Sequence, residues 1–163
     1  MDRSVQIDTF SRFTQVSRET ITSLIKYENY LIKSNKVTNL IGRSTINQIW
    51  LRHFLDSSQV IDFIDKNDSN LVDLGSGAGF PGLVIAILAK DRKIPLKVKL
   101  IEKNPRKASF LKEIIQNLNL KVEVLNLNVL KQPEKLRADL IIARAFKPLK
   151  IILRFLDKNT RNW

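Results

Sequence analysis

Two hydrophobic rhythms divide this chain of 163 residues. Through residues 1–70 the apolar positions return every three or four residues, the spacing of helices that bury one face. Ile21, Leu24, Ile25, Leu31 and Ile32 form a first stripe, with Glu19 in its first turn and Lys33 and Lys36 near its end. A loop is predicted at 37–42, and Ile46, Ile49, Trp50, His53 and Phe54 then predict a second amphipathic helix. Asp56 or Ser57 is placed to cap a third, carrying Val60, Ile61 and Ile64. The polar run 66–70 reads as a linker. From residue 71 the rhythm changes. Short apolar runs at 71–74, 98–101, 122–125 and 140–143 read as strands, and helical stripes follow at 83–89, after Pro105 and after Pro148. Alternating strands and helices predict an α/β fold with a mostly parallel, Rossmann-like sheet and right-handed crossovers. The expected organisation is one structural unit: an N-terminal helical extension over 1–70 and a cofactor-binding domain over 71–163.

Four of the five glycines fall at 75, 77, 79 and 82, between the first predicted strand and the helix after it. Such a concentration marks a sharp turn whose backbone approaches something closely, with the unpaired N–H groups of the next helix aimed back at it. Pro81 sits where that helix begins. The residues at the carboxyl ends of the strands, where open parallel sheets bind ligands, extend the pattern. These are Asp73 and the glycine loop, then Glu102 with Lys103 and Asn104, then the run 126–129, then Arg144.

Composition narrows the chemistry. There is no cysteine and a single histidine, so thiol catalysis and disulfides are excluded and no metal site is expected. No apolar run reaches the ~18 residues of a membrane span and no secretory signal is visible, and the lack of cysteine fits a cytoplasmic protein. The net charge of +12 is unevenly placed: residues 1–70 hold nine Lys/Arg against eight Asp/Glu, so nearly all the excess lies in the part that carries the glycine loop. That imbalance suits a polyanionic partner, nucleic acid above all.

Glu102 stands where an acid accepts hydrogen bonds from a ribose diol, which suits NAD and S-adenosylmethionine alike. Residues 77–82 match G-x-G-x-x-G, a weak signal by itself. Asp73 extends the run to D-x-G-x-G-x-G, a carboxylate placed to orient an ammonium group and to repel a diphosphate. The sulfonium cofactor is therefore favoured. A nicotinamide-dependent oxidoreductase is the alternative, although the chain leaves little room for its substrate pocket.

Residues 71–82, closing on Phe80-Pro81-Gly82, resemble the cofactor motif of the RsmG (GidB) family of bacterial small-subunit ribosomal RNA methyltransferases. Asn39-Leu40 and Arg52-His53-Phe54-Leu55-Asp56-Ser57 are similar to its N-terminal pattern, Lys107-Ala108-Ser109-Phe110-Leu111 to a helix start, and Arg144-Ala145-Phe146 to its Arg-Ala-Phe motif. The resemblance implies an S-adenosylmethionine-dependent methyltransferase fold and methylation of guanine N7 in 16S ribosomal RNA of the small subunit. It places Asp73, Gly75, Ser76, Gly77, Gly79 and Phe80 around the methionine end of the cofactor, Glu102 at the ribose, and Asn128 and Val129 beside adenine. Arg144 borders the cofactor and positions the substrate base through O6 or a phosphate, and Arg106, Lys107 and Lys147 are expected to meet RNA phosphates. His53 reads as a hydrogen-bonded packing residue, Asp56 as a helix cap or a neighbour of the substrate mouth, and Trp50 as core.

This chain departs from the family at Asn128-Val129-Leu130, where an Arg and a Glu are usual, so adenine recognition is expected to rest on backbone groups and Val129. The family also continues into further strands, so the last strands are expected to be missing. That would leave 140–142 as an apolar sheet edge prone to self-association. A shortened, non-catalytic descendant that binds RNA or cofactor is the second alternative.

Overall fold

The computed structural model describes residues 1–131 and 136–159. The N-terminal helices are α1 (Arg3–Thr14) and α2 (Arg18–Asn35), each opened by a side-chain cap: Asp2 accepts from the Ser4 N–H, and Ser17 from the Thr20 N–H. The periodicity did not single out α1 because its buried face is Gln6, Phe10 and Thr14, two of them polar. Two of their three side-chain polar atoms are met internally, while Gln6 Oε1 is buried with no hydrogen-bond partner among the described residues. Gln6 Nε2 donates to the Asn47 carbonyl at 2.8 Å, and the Thr14 hydroxyl donates to the Phe10 carbonyl, also at 2.8 Å.

Residues 43–63 depart from the two helices expected there. They form one continuous helical run of changing pitch: a 3-10 segment Arg43–Gln48, a π turn Trp50–Leu55, the short α3 (Asp56–Ser58) and a second 3-10 segment Gln59–Phe63. Asp56 and Ser57 therefore cap nothing. Asp56 sits at φ −56° and ψ −45°, inside the run, so its carboxylate is free to point across to another element.

The remaining elements are β1 (Asn70–Leu74), α4 (Gly82–Asp91), β2 (Lys97–Ile101), α5 (Pro105–Asn117), β3 (Val122–Leu125), β4 (Leu140–Ile142) and α6 (Leu149–Asn159). The expected bounds hold to within a few residues, except that Pro81 precedes α4 as its N-cap instead of starting it. The four strands are all parallel in the order β3-β2-β1-β4, with Leu71 opposite Val98 and Leu140, and Ile101 opposite Leu125. Among the described residues β4 forms one edge, with its three side chains half-buried. The chain's last four residues lie outside the described ones.

One face of the sheet carries the main core. Leu71, Val98 and Leu100 pack there with α4, whose residues from Gly82 to Ala89 are all buried, and with Phe110, Leu111 and Ile114 of α5. The same cluster takes in Phe10, Tyr27, Trp50 and Phe54, so the helical extension is fused to the sheet layer through a shared apolar interior. On the opposite face Val72, Leu74 and Ile101 meet Val129 and the α6 residues Phe155 and Leu156 in a smaller cluster.

Candidate functional site

The glycine loop is assembled from three directions. Gly75 and Ser76 N–H groups donate to the Ile101 carbonyl at 2.8 and 3.0 Å, tying the loop to the end of β2. From behind, the Tyr27 hydroxyl of α2 donates to the Ala78 carbonyl, and the Tyr27 ring stacks on Phe80 at 5.6 Å. Gly75, Gly77 and Gly79 adopt φ of 74°, 56° and 98°, which side-chain-bearing residues rarely do. The Glu102 carboxylate then braces the front, with Oε2 accepting from the Gly77 N–H at 2.9 Å and Oε1 from the Asn104 N–H at 2.7 Å.

These elements open a cavity of about 540 Å3 at the carboxyl ends of the strands, within the range of small-ligand and cofactor sites. Of the residues expected at a cofactor, Gly75, Ser76, Gly77, Phe80, Glu102, Asn128, Val129 and Arg144 all line it. Lys107 and Lys147, expected at RNA, line it too, whereas Arg106 does not. Lys103 and Lys131 join them, so the rim is strongly basic around one carboxylate.

Asp73 and Gly79 stand apart from the lining. Asp73 shares the face of Leu71, and its carboxylate lies beneath the loop, fully buried, accepting the Gly82 N–H at the start of α4 at 3.1 Å. Its second oxygen, Oδ1, is buried with no hydrogen-bond partner among the described residues. Burial pushes the carboxyl up to about 7, against the opposing pull of the Gly82 hydrogen bond and the Arg144 charge.

Arg144, just past β4, reaches back to the helical run. Its guanidinium donates to Asp56 Oδ2 at 2.9 Å and to His53 Nδ1 at 3.0 Å, and lies 5.1 Å from the Phe80 ring centroid. Arginine has no acceptor, so His53 Nδ1 must present its lone pair, and the ring proton sits on Nε2, where it meets the Thr45 hydroxyl at 2.9 Å. Burial, and then the Arg144 charge, pull the His53 pKa down to about 4, which keeps this neutral tautomer at physiological pH. The ring also stacks on Phe80 at 4.8 Å. His53, read from the sequence as a packing residue, thus also holds a charged group at the cavity wall.

Sequence reasoning missed Tyr27, Phe146, Leu40 and Ile41 as parts of this site. Tyr27 carried a signal: it falls three residues after Leu24 and four before Leu31, on the buried stripe, where a hydroxyl must find a partner. Phe146 lies across the loop so closely that a Cβ on Gly75 would collide with its ring. Among the described residues there is no group of three or more His, Cys, Asp or Glu able to hold a metal, and no helix is long and apolar enough to cross a membrane.

The sequence profile described as GidB, rRNA small subunit methyltransferase G, matches residues 20–162. The chain belongs to this family. It is 40% identical over 150 residues to the ribosomal RNA small subunit methyltransferase G of Pelagibacter ubique, covering 91% of this chain and 70% of that protein. Against the Rhodospirillum centenum protein of the same name it is 44% identical over 138 residues, covering 85% of this chain and 61% of that protein. This chain therefore spans somewhat under two thirds to 70% of the relatives it matches. Among solved structures it resembles an S-adenosylhomocysteine-bound methyltransferase of Podospora anserina, with TM-score 0.59 and 12% identity over 98% of this chain and 66% of that one. It also resembles a Plasmodium falciparum protein described as a protein-L-isoaspartate O-methyltransferase in complex with S-adenosyl-L-homocysteine, with TM-score 0.56 and 15% identity over 95% and 79%. At such identities these likenesses establish the α/β methyltransferase fold. Family membership sets the nicotinamide alternative aside.

Proposed function

We propose that this protein binds S-adenosylmethionine and methylates guanine N7 in 16S ribosomal RNA, acting in the cytoplasm on the small ribosomal subunit. The observation that carries the reading is the cavity in which the glycine loop, Glu102 and Arg144 converge in a chain of this family. The residues fit the cofactor. A Cβ on Gly77 would find nothing nearer than 3.8 Å, so the loop leaves open space. Glu102 spends one lone pair of each oxygen on a backbone N–H, and a carboxylate has about four, so acceptors remain for a ribose diol. Asn128 and Val129 line the same cavity and suit adenine.

When bound, the cofactor supplies a methyl group on a sulfonium. Guanine N7 has a lone pair and no proton, so the chain needs no general base; its work is to hold the two partners in line. Gly75, Ser76, Gly77 and Phe80 form the methionine end, with Asp73 and Gly79 setting the loop from beneath. Arg144, anchored by His53 and Asp56, donates to guanine O6 or a phosphate and leaves N7 free. Lys107, Lys147 and Arg106 meet RNA phosphates, and the target base must be splayed out to enter. The boundary at 66–70 separates a helical extension that clamps the loop from the domain that carries it. Among the described residues β4 is an edge strand, and self-association through 140–142 is expected to show as concentration-dependent sedimentation; a monomer at every concentration removes this part.

The deciding experiment is methyl transfer from labelled cofactor to unmodified small subunits, with mapping of the modified base, beside calorimetric binding of S-adenosylmethionine. Labelled guanine N7 upholds the proposal. Binding without transfer favours the non-catalytic reading. Asp73→Ala is expected to abolish cofactor binding, and unchanged affinity would remove the loop assignment.

A further inference from the structure

Parallel sheets are ordinarily covered on both faces, and their inner strands are apolar on both. β2 is an inner strand here, flanked by β1 and β3, yet it breaks this rule on one face. Lys99 pairs across to Val72 and Glu123, and Lys97 pairs to Asn70, so both lysines share the face of Val72. Towards the carboxyl ends that face is closed over Val72, Leu74 and Ile101 by Val129 and the α6 residues Phe155 and Leu156. Towards the amino ends, at Lys97 and Lys99, nothing among the described residues closes it. There Lys97, Lys99, Lys121 and Arg137 line a depression of about 660 Å3 with Glu123 as the one acid among its lining residues. Glu123 is engaged with Lys99 at 3.3 Å, and the neighbouring Asp139 carboxylate is taken up by the N–H groups of Ser69 and Asn70 at 2.8 Å.

We propose that this depression is a second contact for the RNA backbone, at the end of the sheet opposite the cavity that takes the target base. The four cations are set along and across strands, with the two on β2 roughly 6.6 Å apart. Such an arrangement suits a linear polyanion better than a single phosphate. Lys97, Lys121 and Arg137 are exposed, so their charged ends move freely. Groups of that kind neutralise phosphates and position a nucleic acid without reading its bases. Placing them on the reverse of the sheet lets one RNA segment be gripped while another presents a splayed base at the cavity. The identity of the polyanion rests on the proposed function; the open, basic sheet face does not.

The test uses the full chain and a 16S ribosomal RNA transcript, with binding measured by fluorescence anisotropy across a salt series. Lys97→Gln with Lys121→Gln removes two exposed charges outside the cavity. Affinity at about 0.1 M salt is expected to fall roughly tenfold or more, and the slope of log affinity against log salt to shrink by about two. Calorimetric affinity for S-adenosylmethionine is expected to stay unchanged, which also shows that the variant is folded. A control, Lys26→Gln with Lys33→Gln on the exposed side of α2, makes the same change in net charge. Equal weakening in the control, or an unchanged slope in the first variant, overturns the contact while leaving the ribosomal RNA reading intact. A wild-type chain that retains no transcript overturns both.

Discussion

On the β1–α4–β2 side of the cavity, Leu71 to Leu74 are all buried, α4 is buried from Gly82 to Ala89, and the glycine loop is hydrogen-bonded to the strand beside it. At the two edge strands that flank this centre, β3 and β4, the side chains are only half-buried or exposed, and Arg144 beyond β4 is held by two side chains contributed from residues 43–63. The first side is set by the close-packed core and changes shape only if the core does. The second is set by a few polar tethers. A site built this way keeps a rigid seat for one partner and a wall that depends on the helical extension for the other.

The comparison can be broken most severely at Asp73. Its folded pKa of about 7 stands above the ordinary carboxyl value of 3.8. The protonated form is therefore favoured by folding. This stability is fully present below pH 3.8 and lost as pH rises through about 7, a difference of about 4 kcal/mol across the window. Asp73→Asn keeps an acceptor for the Gly82 N–H and is expected to flatten that pH dependence in urea unfolding; an unchanged profile would show that the carboxylate is not desolvated. Next comes Gly79→Ala, whose methyl would lie 2.5 Å from the Tyr27 hydroxyl and 2.9 Å from Leu83 Cβ. A loss of about 3 kcal/mol is expected. Gly77→Ala, by contrast, meets nothing nearer than the Gly75 carbonyl at 3.8 Å and should cost about 1 kcal/mol for its positive φ, with its main effect on ligand affinity.

On the tethered side, His53 is neutral in the fold, with its pKa lowered from 6.5 to about 4. The stability it contributes is present above pH 6.5 and is lost as pH falls through about 4. Protonation turns Nδ1 into a donor facing Arg144, so the NMR titration of His53 should have its midpoint near 4 and move back towards 6.5 in Arg144→Ala. A midpoint already at 6.5 in the parent would mean that the tether does not form. The smallest effect is expected at Ala145, which holds φ 51° between Arg144 and Phe146. Ala145→Gly should raise stability by about 0.5 kcal/mol in the same unfolding assay.

Much of the seat was legible in order along the chain. The alternation from residue 71 onwards, the glycine cluster and the acid at 102 are local patterns, and each produced the element or contact wall expected of it. Residues 43–63 were less legible, because hydrophobic spacing near 3.6 does not distinguish an α-helix from successive 3-10 and π turns. The sequence by itself determined the parallel α/β sheet, the place of the loop at its carboxyl end and the basic character of the second half, since these follow from periodicity, glycine spacing and charge. Only the tertiary structure decided that Tyr27 clamps the loop across 51 residues, that His53 and Arg144 meet across 91, and that Asp73 turns away from the cavity towards α4. Those contacts depend on how whole layers stack, and no local pattern along the chain encodes a distance across the core.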